Sequence, residues 1–287
     1  MNNTVLSSDI GTLYLVPTPI GNLADMTERA VLTLREVDVV AAEDTRHSGQ
    51  LLQHLGVKAE MLALHDHNER DRAGQLIARL QQGQSIALIS DAGMPLISDP
   101  GYHLVSQCRA AGVPVCALPG PCALITALAA SGLPTDKFIF EGFLPAKPQQ
   151  RRKTLQSVVA EARTLVFYES PHRIVSALED ILTTMGPERP LVLARELTKR
   201  FETYLVGTVA EVLAKVTSDS NQQRGEFVLM LGGAAAVADE AMPAAALQLL
   251  TRLQEDLPLK KAAAIVAEMY GLKKNELYSL GLERQKS

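Results

Sequence analysis

The apolar positions of this chain fall into two alternating patterns. Short, mostly apolar runs bounded by turn residues predict strands over residues 12–16, 37–42, 61–64, 85–89 and 113–118. Between them, apolar residues recur at helical spacing, which predicts helices over residues 27–35, around Leu51, Leu52 and Leu55, up to Gln81, from Tyr102 to about Ala111, and up to about Ala130. Strands alternating with helices in this way imply parallel βαβ units and a doubly wound α/β sheet. Gly132-Leu133-Pro134-Thr135 breaks the pattern and predicts a boundary, giving an N-terminal α/β domain over 1–133. A second α/β domain over 134–233 repeats the alternation, with strands at 138–140, 164–168, 190–196, 202–206 and 226–231 and helices at 149–162, 171–185 and 209–216. Its last three strands have one short helix among them, so its sheet is expected to be mixed. After an alanine-rich linker at 234–238, helices at 243–253, 259–269 and 274–282 predict a small helical tail, 243–287, with a helix-turn-helix outline around Gly271.

Composition narrows the classes. The 47% apolar content of 287 residues fills proper cores, no apolar run reaches membrane-spanning length, and Met1-Asn2-Asn3-Thr4 lacks the basic flank and apolar core of a signal peptide, so a cytoplasmic protein is expected. Cys108, Cys116 and Cys122 have no Cys-x-x-Cys spacing and read as small apolar residues. A formal net charge of -4 argues against a coat for nucleic acid. From Ala244 onward, seven Lys/Arg stand against five Asp/Glu, a local excess of two positive charges.

The chemistry-bearing stretch is Ser90-Asp91-Ala92-Gly93-Met94-Pro95-Leu96-Ile97-Ser98-Asp99-Pro100-Gly101, which follows the strand at 85–89. In an open α/β sheet, ligands settle outside the carboxyl ends of the strands, where this loop belongs. Asp99 followed by Pro100 reads as a cap and first position of the next helix, whereas Asp91 has no such structural task. Thr18-Pro19-Ile20-Gly21-Asn22 and Leu118-Pro119-Gly120-Pro121-Cys122-Ala123-Leu124 fall at the same predicted edge, stiff and open to close backbone approach. Gly-x-Gly-x-x-Gly does not follow the first strand and no P-loop motif occurs, so the common dinucleotide and nucleotide cradles are absent.

These three stretches, together with Glu43-Asp44-Thr45-Arg46, Gly142-Phe143-Leu144-Pro145 and Tyr168-Glu169-Ser170-Pro171-His172-Arg173, resemble the tetrapyrrole methylase superfamily of S-adenosylmethionine-dependent methyltransferases, and its branch that acts on ribosomal RNA. The resemblance covers both α/β halves. It implies a two-domain fold that binds S-adenosylmethionine between its domains, works as a homodimer, and methylates the ribose 2′-hydroxyl of a cytidine in the decoding region of 16S rRNA. It implies cofactor contacts at Pro19, Ile20, Gly21, Asp91, Gly93, Met94, Ile97, Pro121, Cys122 and Ala123. Tyr168, Ala194 and Phe227 join them by their positions near strand ends. No metal is required.

Asp44, Arg46, Glu169 and Arg173 are the candidates for handling a proton and orienting RNA, although Glu169 and Arg173, four apart, can equally form an ion pair. Ser170 and Pro171 read as a helix start able to hold a phosphate. His65-Asp66-His67 has no third metal ligand in range and reads as a polar loop. Lys147, Arg151, Arg152 and Lys153 form the densest basic run, either a solvated helix face or phosphate contacts, and its position after residues 142–145 favours the latter. Lys260 and Lys261, with Lys273 and Lys274, supply a second patch. With 4% aromatic residues and no Trp, recognition of a folded RNA by shape fits better than base stacking. A small-molecule methyltransferase of the same superfamily and a non-catalytic RNA-binding factor are the alternatives.

Overall fold

A computed structural model describes residues 10–234 and 243–284. The chain start and residues 235–238 of the expected linker lie outside them. The chain divides into two compact units, residues 1–234 and 235–287.

The first unit opens with a parallel sheet. Its strands are β1 (Leu13–Leu15), β2 (Val39–Ala42), β3 (Glu60–Ala63), β4 (Ile86–Ile89) and β5 (Val115–Ala117), in the order β3-β2-β4-β1-β5. The connecting helices are α1 (Glu28–Glu36), α2 (Thr45–His54), α3 (Glu69–Gln81) and α4 (Tyr102–Ala110). Every residue of β2 and β4 is buried, as expected of inner parallel strands covered on both faces, whereas the edge strand β3 is only partly buried. One apolar cluster lies on each face: Leu76, Leu80 and Leu104 pack with Leu13, Ile86 and Leu88, and Leu34 and Leu52 pack with Val40, Ala42 and Ile89.

After α5 (Ala123–Ala130) comes a mixed sheet of β6 (Phe138–Phe143), β7 (Thr164–Glu169), β8 (Pro190–Arg195), β9 (Thr203–Thr208) and β10 (Phe227–Leu231), ordered β6-β7-β10-β8-β9. Only β6 and β7 run parallel. Strand β10 is antiparallel to β7 and β8, and β9 is antiparallel to β8, which is the mixture the scarcity of helices predicts. The outer face carries α6 (Pro148–Ser157), α7 (Ile174–Met185) and α8 (Val209–Ser218) around Phe167, Leu178, Ile181 and Leu229. The inner face receives α5: Leu124, Ala127 and Leu128 pack on Val166, Val192, Val228 and Met230. That packing makes one compact unit of the two sheets, with the expected 133/134 boundary lying between them.

Three local expectations are corrected. Helix α6 ends at Ser157 instead of continuing to 162. The buried Arg189 guanidinium donates to the carbonyls of Val159, Glu161 and Gly232 at 2.9, 3.0 and 2.6 Å, satisfying the backbone where the helix stops. Helix α7 starts at Ile174 after a turn closed by the Arg173 amide on the Ser170 carbonyl (3.1 Å), so Ser170 and Pro171 are not its cap and first residue. Helix α4 is capped by Gly101, not Asp99.

The second unit consists of α9 (Ala244–Leu253), α10 (Leu259–Tyr270) and α11 (Lys274–Arg284) around Ala246, Leu250, Ala262, Val266 and Leu277. Gly271, left-handed at φ 65°, makes the tight turn between α10 and α11. Among the described residues no helix is long and apolar enough to cross a membrane.

Candidate active site

Parallel strands bring their carboxyl ends to one edge, so the segments after β1, β2, β4 and β5 meet there. Thr18 and Gly93 each donate an amide to the other's carbonyl at 3.0 Å, and Thr18 Oγ1 donates to the Ser90 carbonyl at 3.1 Å, which joins the first turn and the 90–101 loop into one wall. Gly93 is left-handed (φ 85°), and a Cβ on it would stand 3.3 Å from Ile20 Cγ2. Leu96 and Ser98 in the same loop, and Glu196 and Thr198 in the segment after β8, are also left-handed, at φ 73°, 68°, 52° and 64°. Such conformations cost side-chain-bearing residues about 1–3 kcal/mol each and gather at working sites.

Between this wall and the second sheet lies a cavity of about 470 Å³. The first half contributes Ile20, Glu43, Asp91, Ala92, Gly93, Met94, Ile97, Ser98, Asp99, Cys122 and Ala123. The second contributes Phe143, Tyr168, Glu169, Ser170, Pro171, Leu197, Glu226, Phe227 and Val228. Of the expected cofactor residues, Ile20, Asp91, Gly93, Met94, Ile97, Cys122, Ala123, Tyr168 and Phe227 therefore share one cavity. Pro19 and Gly21 instead line a neighbouring cavity of about 440 Å³, which shares Ile20, Asp91 and Ala92 with the first. Pro121 lines neither, although its carbonyl would lie 3.8 Å from a Cβ on Gly93. Ala194 is corrected: fully buried and paired with Val228 and Tyr204, it packs among the residues under the cleft.

The acidic side of the cavity differs from its expected form. Asp99 was expected to cap α4, but the buried Glu69 of α3 accepts the Leu104 amide at 2.9 Å and supplies that bond. Gly101, at φ 130°, turns the chain where a Cβ would meet Leu88 Cδ2 at 2.7 Å. Asp99 lines the cavity, and burial, reinforced by the charges of Asp91 and Asp66 against a bond from Ser90, raises its pKa to about 6. Glu43 is raised as well, first by burial and then by Asp99, Asp91 and Asp66. Asp44 accepts the Arg46 guanidinium at 3.1 Å and the Arg46 and His47 amides at 2.8 and 3.4 Å, which together hold its pKa at about 2. Asp44 is thus the cap of α2, paired with an exposed Arg46, and neither lines the cavity. Its amide donates to Asp91 Oδ1 at 3.3 Å.

On the facing side, Glu169 is buried. Its Oε1 accepts the Ser170 amide at 2.7 Å and the Arg173 guanidinium at 2.8 Å, while Oε2 is buried without a hydrogen-bond partner among the described residues. The ion pair exists, and the Glu169 side chain is fully buried with one carboxylate oxygen unused among the described residues. The Tyr168 hydroxyl accepts the Leu124 amide at 3.2 Å, and Phe140 and Phe143 stand edge-on to its ring at 4.9 and 5.5 Å between centroids. Burial raises the phenol's pKa, so it remains protonated. Behind them, Lys199 bridges Glu196 and Glu226, both at 2.8 Å, and fastens the strained segment carrying Leu197.

The basic run divides. Lys147 and Lys153 are exposed, and Arg152 is half-exposed while donating to Asp180 Oδ1 at 3.0 Å. Arg151 is corrected: it is 2% exposed, its Nε lies 2.7 Å from Asp180 Oδ2, and it ties α6 to α7 where no RNA can reach it. Lys260 and Lys261 are exposed on α10. His65 is engaged by Asn68, and the loop after β3 lines neither cavity. Sequence reasoning missed Glu43, Asp99, Phe143, Leu197 and Glu226 as cavity residues. Glu43 and Phe143 stood inside quoted motifs, but Leu197 and Glu226 carry no signal beyond their places next to strand ends.

A strand-edge cavity closed by a second mixed sheet defines a class. A family model for tetrapyrrole (corrin/porphyrin) methylases matches residues 12–213, and the chain belongs to that family. A second model, the RsmI C-terminal HTH domain, matches residues 240–285. The chain is 59% identical over 275 residues (96% of both chains) to ribosomal RNA small subunit methyltransferase I of Escherichia coli O157:H7. It is 55% identical over 282 residues (98% of both) to the protein of that name from Vibrio cholerae serotype O1. Uroporphyrin-III C-methyltransferase from Thermus thermophilus, solved with S-adenyl homocysteine, shares the fold with a TM-score of 0.52 at 21% identity, over 77% of this chain and 97% of its own.

Proposed function

We propose that this methyltransferase transfers a methyl group from S-adenosylmethionine to the ribose 2′-hydroxyl of a cytidine in the decoding region of 16S rRNA, acting on the small ribosomal subunit as a homodimer. The observation that carries the reading is 55–59% identity over nearly the full length to relatives named ribosomal RNA small subunit methyltransferase I. The second unit adds to it, because the uroporphyrin methylase spans only 77% of this chain while being covered almost completely itself.

The cavity fits the cofactor. Gly93 lets the backbone approach where a Cβ would crowd Ile20, and Asp91, Asp99 and Glu43 offer negative charge to a cation. Asp91, Gly93, Met94, Ile97, Cys122 and Ala123 would hold it from the first half, and Tyr168 and Phe227 from the second. When bound, S-adenosylmethionine supplies a methyl already activated on a sulfonium. The chain must then align a hydroxyl oxygen in line with that carbon and receive one proton. Alignment is worth roughly 7–11 kcal/mol and a general base roughly 3–5 kcal/mol, so positioning dominates. Glu169 Oε2, buried and unpartnered while Oε1 is anchored by Arg173 and the Ser170 amide, is the acceptor we assign to the hydroxyl proton.

Labelled S-adenosylmethionine incubated with small subunits, naked 16S rRNA and uroporphyrinogen, followed by mapping of the modified nucleotide, tests the reading. Label on a cytidine 2′-oxygen supports it, and label only on the tetrapyrrole, or on nothing, refutes it. Light scattering tests the dimer.

A further inference from the structure

The second cavity, of about 440 Å³, lies between the first turn and α2 and shares Ile20, Asp91 and Ala92 with the cofactor cavity as a common wall. We infer that it is the pocket for the base of the nucleotide being methylated; the inference rests on the ribosomal RNA reading above. His47, Gln50 and His54 recur on α2 at i, i+3 and i+7, so one helix face presents two imidazoles and a carboxamide to the cavity. All three are exposed, and among the described residues no hydrogen bond engages their side chains.

The opposite side is apolar. Leu23, 49% exposed, stands there with the stiff Pro19. An apolar wall facing unengaged donors and acceptors is what a flat heteroaromatic base with polar edges requires, and a carboxamide meets both a ring carbonyl and an exocyclic amine. The shared wall places the base beside the reacting ribose as well. A ribose presented at the shared wall of Asp91 and Ala92 has its hydroxyl at the cofactor cavity and its base directed to α2. The carboxylate of Asp91 in that shared wall discourages a phosphate there, so the backbone runs outside the pocket while the base enters it.

The test uses the full-length protein with 16S rRNA or small subunits, whichever the wild type methylates. Gln50→Ala combined with His54→Ala, and separately Leu23→Ser, are expected to raise KM for RNA by about tenfold or more while the Kd for S-adenosylmethionine stays within about twofold. RNA carrying uridine at the methylated position is expected to separate from cytidine RNA with the wild type and to lose that separation with Gln50→Ala. Variants that bind cofactor normally and keep wild-type KM and base discrimination overturn the pocket. Variants that lose cofactor affinity as strongly as RNA affinity overturn it too, because the cavity is then part of the cofactor site. A wild type that methylates no RNA overturns the ribosomal RNA reading instead.

Discussion

Arg151 and Arg152 are neighbours in sequence with opposite expected costs. Arg151 is 2% exposed and donates to Asp180 Oδ2 at 2.7 Å, with longer contacts to the Ala146 and Ser176 carbonyls, whereas the side chain of Arg152 is 52% exposed at 3.0 Å from Oδ1 of the same carboxylate. Removing one partner of a buried pair costs about 3–5 kcal/mol because the other charge is stranded. Here Arg152 still reaches Asp180, so Arg151→Ala is expected near the lower end, about 3 kcal/mol. An exposed pair is worth about 0–1 kcal/mol, which sets the cost of Arg152→Ala. At about 2–4 °C per kcal/mol for a domain of this size, the first variant melts roughly 6–12 °C below wild type and the second within about 4 °C. Urea and thermal unfolding followed by circular dichroism read both. Arg151→Met with Asp180→Leu replaces both charges by apolar groups and is expected to recover most of the loss and to methylate RNA like wild type. Equal destabilisation by Arg151→Ala and Arg152→Ala, or a stable Arg151→Ala protein that has lost RNA binding, would refute the latch.

Four further outcomes follow from the cavity. Asp91→Ala is expected to weaken S-adenosylmethionine binding about 10- to 100-fold by calorimetry with little change in melting temperature, since among the described residues its side chain makes one hydrogen bond, a 3.3 Å contact to the Asp44 amide. Gly93→Ala, forced to φ 85° against Ile20, should cost about 1–2 kcal/mol and cofactor affinity together, read by urea melts and titration. Asp99 binds its proton more tightly folded, with pKa about 6, than unfolded, so its contribution is full below about pH 4 and is lost as pH rises through 6. Asp99→Asn should therefore flatten the decline of stability between pH 4 and 6.5, and an unchanged slope means the carboxylate is not desolvated. Glu169→Gln should lower kcat by about 10² with cofactor affinity retained, whereas a normal kcat moves the base elsewhere.

The fold was legible wherever one signal decided the element. Residues 86–89 and 227–231 are unbroken apolar runs, and both became central, fully buried strands. The mixed second sheet followed from counting helices between strands. The helix ends were less legible because distant residues set them. Arg189, just before β8, binds the carbonyls of Val159 and Glu161 where the chain leaves α6, and Glu69 supplies the amide bond that Asp99 was expected to give α4. Capping rules read local spacing, and a cap delivered from another helix leaves no local trace.

The same limit explains the site. The turn motifs located the cavity because parallel strands gather their carboxyl ends, so position along the chain translated directly into position in space. Charge did not translate in that way. Asp44 and Asp99 both follow strands, but Asp44 is consumed by the first turn of α2, whereas Asp99 is relieved of capping by Glu69 and turned inward past the left-handed Leu96 and Ser98. Arg151 likewise belongs to a basic run by sequence and to the core by its register on α6. A carboxylate or guanidinium is available for a ligand only when no backbone amide or buried counter-charge has claimed it. Asp99, Asp91 and Glu169 Oε2 come nearest to meeting that condition, with Asp91 and Glu169 contributed from opposite halves of the cavity lining. The two are the proper first pair for substitution, since the cofactor's positioning and the hydroxyl's proton would then be lost separately, Asp91 moving Kd and Glu169 moving kcat.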